Sequence, residues 1–171
     1  MQTIRLLLET NFNRWGARPY LYENGESYSF EAVLADVQAL AAYLRDRGLT
    51  GQAIGIYGVN CVAWMLADLA VMGYVGVSVA IDRARTANEL ARIREKVGLR
   101  CLIYTPSQTA EVAKLDKSDS LLLLSTAEFP EILAKGRQLL QSNPAFPEKD
   151  LDACSKIVFS SGTTSAPKAV M

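Results

Sequence analysis

Short runs free of charge, separated by stretches of helical period, are what most constrain this chain. Ala53–Tyr57, Val77–Ile81, Leu102–Tyr104 and Leu121–Leu124 are such runs, and Lys156–Ser160 is a fifth behind its one lysine. A strand with one face in water alternates polar and apolar residues, whereas these must be covered on both sides. Strands of this kind in series with helices predict an α/β fold, a mainly parallel sheet with helices on both faces joined by right-handed crossovers.

The intervening segments carry helix signals. Ile4, Leu7, Leu8, Phe12 and Trp15 share one face of an opening helix, and Phe30, Val33, Leu34, Val37, Leu40, Ala41 and Leu44 follow the same period. Ser29 is placed to cap the second helix and Gly48 to end it. Asn24-Gly25 predicts a hairpin between Tyr20–Tyr22 and Ser27–Ser29. Asn60 is placed to cap a helix starting near Cys61, and Thr86-Ala-Asn-Glu89 is a capping box for one with Leu90, Ile93 and Val97 inside. A short helical pattern near Ala110–Leu115 and a longer one over Pro130–Leu140 complete the series. Residues 1–171 are read as one α/β domain.

Cys61 to Ile81 contains one charge, Asp68, and reaches the roughly 20 residues that span a bilayer. A charge near the middle costs about 2.5–3.5 kcal/mol there even on lenient scales. Gly73 and Gly76 also divide the run, so helix, turn and buried strand is the preferred reading, with no membrane span.

Composition narrows the chemistry. The chain has no histidine, which excludes Ser-His-Asp and Cys-His arrangements and any histidine metal site within it. Cys61, Cys101 and Cys154 are scattered and odd in number, which fits small core residues in a reducing compartment, the cytoplasm. Eighteen basic residues balance eighteen acidic ones, so no basic field points to nucleic acid.

The chemistry concentrates at the end, Ile157-Val-Phe-Ser-Ser-Gly-Thr-Thr-Ser-Ala-Pro-Lys-Ala-Val-Met171. An apolar strand runs into small hydroxyl residues, a glycine and Pro-Lys. Such a loop can wrap a polyphosphate: Gly162 lets the backbone approach, N–H groups and hydroxyls donate to phosphate oxygens, and Lys168 adds positive charge. It is not a Walker A loop, because Ser or Thr does not follow Lys168.

This stretch resembles the signature of the adenylate-forming superfamily: acyl-CoA synthetases, nonribosomal-peptide adenylation domains and luciferase-like enzymes. Phe159, Ser161, Gly162, Thr163, Thr164, Pro167, Lys168 and Val170 match it, and Ser160 replaces a threonine. Ser165 and Ala169 stand where the family has glycine, which matters if either position needs positive φ. Tyr28–Leu34, the Asn60/Trp64 pair and Val71–Asp82 resemble further segments in the same order.

The resemblance implies the N-terminal part of an ATP-dependent carboxylic acid:CoA or carrier-protein ligase that forms an acyl-adenylate. Ser160, Ser161, Gly162, Thr163, Thr164 and Lys168 would bind the ATP phosphates. It places the magnesium site, the acid pocket and the catalytic lysine beyond this chain, so no residue here is assigned as catalytic or metal-binding. A truncated fragment, inactive alone and self-associating through an uncovered apolar face, is the expectation, with Ser161–Met171 mobile. The alternative is a free-standing, non-catalytic α/β module that binds a phosphate ligand or a partner. Trp64, Met65 and Tyr28–Phe30 are read as core, Lys156 as a solvated strand edge, and Asp82 as either a turn cap or a functional carboxylate.

Overall fold

The four charge-free runs and the Lys156–Ser160 run become neighbours in one sheet. The computed structural model describes residues 2–115, 121–147, 153–160 and 168–170, and for 160 and 168–170 the description is of the backbone. Strands β3 (Ala53–Gly58), β4 (Val77–Asp82), β5 (Leu99–Tyr104), β6 (Leu122–Ser125) and β7 (Lys156–Ser160) pair in parallel, in the order β6-β5-β3-β4-β7. A short strand β8 (Lys168–Val170) adds antiparallel to β7. The hairpin β1 (Pro19–Glu23) and β2 (Glu26–Ser29) forms apart from this sheet and turns at Asn24 and Gly25, both at positive φ.

Two apolar layers hold the sheet, one on each face. On one side lie α1 (Ile4–Trp15), α2 (Phe30–Asp46), α3 (Val62–Ala70) and α6 (Phe129–Ser142), with Leu40, Leu44, Leu66 and Ile132 packed over Ile54, Ile56 and Ile103. On the other lie α4 (Ala87–Val97) and α5 (Thr109–Val112), with Leu90, Ile93 and Val112 over Tyr57, Val79 and Leu102. The doubly covered strands are why the sequence lacks alternation there. At Gly136 of α6 an added Cβ would lie 2.0 Å from the Ala39 carbonyl oxygen, so α2 and α6 approach backbone to backbone.

Several local expectations need correction. Cys61, not Asn60, caps α3: its Sγ accepts from Trp64 N at 3.4 Å, while Glu23 Oε1 accepts from Val62 N at 3.0 Å. Leu7 and Trp15 are exposed on α1, Phe12 is its buried residue, and Leu8 packs partly buried against the same core. Arg14 and Arg18 stack on the Trp15 ring instead. The 61–81 run is α3, a π-helical turn over Val71–Val75 and then β4; no helix of the described residues is long and apolar enough to cross a membrane. Residues 168–170 form the short strand β8, and the rest of the Ser161–Met171 segment expected to be mobile lies outside the described residues.

Candidate functional site

The sheet parts at its carboxyl edge. The chain leaves β3 toward α3 on one face and leaves the adjacent β4 toward α4 on the other. Adjacent parallel strands whose connections diverge open a crevice at their carboxyl ends, the usual ligand position in open α/β sheets. A cleft of about 620 Å3 lies there. Gly58, Val59 and Asn60 form one wall, Ala80 to Arg83 the next, Val158 and Phe159 of β7 the third, and Trp64 of α3 closes one side.

Local chemistry explains each wall. Gly58 has φ 148, and a Cβ there would meet Thr105 Oγ1 at 2.0 Å, so only glycine lets the backbone turn against β5. Thr105 is buried: its N–H donates to the Tyr57 carbonyl at 3.1 Å and its Oγ1 accepts from Val59 N at 3.2 Å. Asp82 caps a turn, with Oδ1 accepting from Ala84 N at 2.8 Å and its carbonyl accepting from Arg85 N at 3.0 Å, and it also lines the cleft. Tyr57 donates its hydroxyl to the Arg85 carbonyl at 2.6 Å. Burial, and then the carboxylates of Glu111, Glu89 and Asp82, push that hydroxyl's pKa up, so it stays protonated as a strut beneath the cleft.

Of the six sequence-predicted site residues, the structure describes the backbone of two, Ser160 and Lys168. Ser160 ends β7 directly after the cleft residue Phe159, and Lys168 opens β8. The two are register partners, so the segment between them starts and finishes at the cleft rim. Ser161, Gly162, Thr163 and Thr164 lie outside the described residues, as does Ser165. Ala169 sits in a strand opposite Phe159, and among the described residues Asn24 is the one non-glycine with positive φ. Its place in the sequence therefore asks for no glycine.

Other residues of the region escape a reading by motif. Gly58 and Arg83 line the cleft without belonging to any motif found above. Lys156, expected at a solvated edge, lies in an inner strand and donates from Nζ to Asp68 Oδ2 at 2.6 Å. The signal available was two solitary charges, Asp68 and Lys156, in otherwise apolar runs.

The model of the AMP-binding enzymes matches residues 8–171. The chain belongs to the AMP-binding enzyme family. Curated AMP-binding relatives include a long-chain-fatty-acid–CoA ligase, ACSBG2, of Rattus norvegicus, 25% identical over 99% of this chain and 29% of its own length. The nonribosomal peptide synthetase ungA of Aspergillus violaceofuscus is 33% identical over 77% of this chain but 1% of its own. The chain thus spans less than a third of either relative. Among solved structures, VinN superposes with a TM-score of 0.80 at 18% identity, over 99% of this chain and 43% of VinN. The N-terminal subdomain of Klebsiella oxytoca NpsA gives 0.80 at 19% identity, over 99% of this chain and 42% of that one. The shared fold is that of the N-terminal subdomain of adenylate-forming enzymes.

Proposed function

We propose that residues 1–171 form one α/β unit, the N-terminal part of an ATP-dependent ligase that joins a carboxylic acid to a thiol of CoA or a carrier protein. The observation that carries this reading is the Ser160–Lys168 register pair at the rim of the carboxyl-edge cleft. It supports a role for the hydroxyl-rich segment it brackets in holding the β- and γ-phosphates. Relatives described as fatty-acid and acyl-CoA ligases and as peptide synthetases agree with the reaction class.

In this reaction a carboxylate oxygen attacks the α-phosphorus of ATP. The bond from the α-phosphorus to the bridging oxygen breaks, and pyrophosphate leaves with the electron pair. The thiol sulfur then attacks the acyl carbon and AMP leaves, the thiol proton passing to solvent. Backbone N–H groups and hydroxyls of Ser160, Ser161, Gly162, Thr163 and Thr164, with the Lys168 ammonium, stabilise the charge that gathers on pyrophosphate. The role is positioning and electrostatics, with no covalent intermediate on these residues. Following the family resemblance, magnesium is assigned no ligand in this chain. The free thiols of Cys61, Cys101 and Cys154 fit a cytoplasmic setting, with Cys101 pushed up to about 12 by burial and so inert.

The test is ATP–pyrophosphate exchange across a panel of carboxylic acids. A protein carrying this chain and the rest of an AMP-binding region should exchange label only when its acid is present. The 171-residue chain alone should not, because the transition state must be held from several sides. Exchange by the isolated chain would refute the division of labour, and acid-independent ATP hydrolysis by the longer protein would refute the ligase reading.

A further inference from the structure

Asp68 is the one charge in the Cys61–Ile81 run, and its side chain is 6% exposed. It is fully used. Ser78 Oγ of β4 donates to its Oδ1 at 2.6 Å, and Lys156 Nζ of β7 donates to its Oδ2 at 2.6 Å. Lys156 also lies 5.7 Å from the centre of the Trp64 ring, the residue that closes one side of the cleft. Ser78 and Lys156 are themselves register partners, and Ser78 N donates to the Ser155 carbonyl at 2.9 Å. One carboxylate on α3 therefore holds both strands at the first rung of their ladder.

That ladder needs holding. β7 reaches β4 only after the long α6 crossover, and three residue pairs join them: Ser78–Lys156, Val79–Ile157 and Ala80–Val158. Valine, isoleucine and alanine specify no register among themselves. The polar rung does. A slip of one residue would turn Lys156 from the α3 side to the opposite face, where Ile157 and Phe159 now pack with Val79, Ile81, Leu90 and Ile93. It would bury an ammonium among hydrocarbon and leave Asp68 facing isoleucine, and both states are costly.

We infer that Asp68 and Lys156 are positioning residues that fix the register of β7, and with it the point from which the Ser160–Lys168 segment starts. A slip of one residue would move Ser160 by about 3.3 Å along the strand and turn its side chain to the other face. The consequence for phosphate binding rests on the proposed function; the register itself does not.

Cross-linking reads the register without reference to activity. Parallel strands lie about 4.8 Å apart, within disulfide reach when both Cβ atoms share a face and out of reach when they oppose. In the 171-residue chain with Cys61→Ser, Cys101→Ala and Cys154→Ser, Ala80→Cys with Val158→Cys should oxidise readily. Ala80→Cys with Ile157→Cys should remain at background. Adding Asp68→Leu and Lys156→Met removes the lock while keeping apolar volume, and the frame-shifted cross-link should then rise about tenfold. A frame-shifted signal that stays at background overturns the proposal. So does a doubly apolar chain that fails to fold, since the pair would then supply stability rather than register. Failure of ATP–pyrophosphate exchange in the longer protein, with the cross-linking as expected, would reject the proposed function and leave the register lock standing.

Discussion

Lys156 keeps 34% of its side chain exposed while Asp68 keeps 6%, so removing either member of the pair leaves a different problem behind. Lys156→Met strands a buried carboxylate and should cost about 3 kcal/mol in urea unfolding. Asp68→Leu leaves an ammonium that can turn toward water and should cost about 1 kcal/mol. Equal losses would mean that Asp68 is more solvated than the structure shows. Gly58→Ala should cost at least about 2 kcal/mol, because the methyl group meets Thr105 where the backbone is already at φ 148. At this scale the sequence was uneven as a guide. Ser29 and Thr86 could be picked as caps because a capping side chain acts on backbone within three residues. The partner of Lys156 is 88 residues away, so nothing near it in sequence could show that its charge is used.

Helix α4 begins with the capping box that Thr86-Ala-Asn-Glu89 announces: Thr86 Oγ1 accepts from Glu89 N, and Glu89 Oε2 accepts from Thr86 N at 2.9 Å. Glu111 of α5 adds a second carboxylate, accepting from Ala87 N at 2.9 Å. The hydrogen bond from the Thr86 backbone, then those from Arg85 and the Thr86 hydroxyl, lower the Glu89 carboxyl from 4.5 to about 2. A depressed carboxyl contributes stability in full above its unfolded value and loses it as pH falls through the folded one. Glu89→Ala should therefore lower stability by about 1 kcal/mol at pH 7, and the gap should narrow between pH 4.5 and about 2. A gap of constant size over that range would show that the carboxylate's charge is not what caps the helix. Most elements were legible because period and caps are local; the residual error was at termini, such as Cys61 capping α3 from a position where Asn60 looked the better residue.

For the whole molecule, the parallel α/β class followed from strands without alternation, but their order did not. β7 lies beside β4 rather than β6 because α6 packs on α2 and carries the chain back across the sheet, a long-range choice. That crossover is what brings the Ser160–Lys168 pair to the cleft between diverging connections, a feature absent from any local pattern. The hydroxyl-rich motif was readable by resemblance, and the cleft that Phe159 lines only from the fold. Lys168→Ala tests whether the two belong together, through acid-dependent ATP–pyrophosphate exchange in a protein carrying this chain with the rest of an AMP-binding region. On the proposal that Lys168 acts on the leaving phosphate, exchange per folded molecule should fall by about 10²–10³, with the urea midpoint unchanged. Unchanged exchange per folded molecule with a lowered midpoint would make Lys168 a structural residue and contradict the phosphate-binding account.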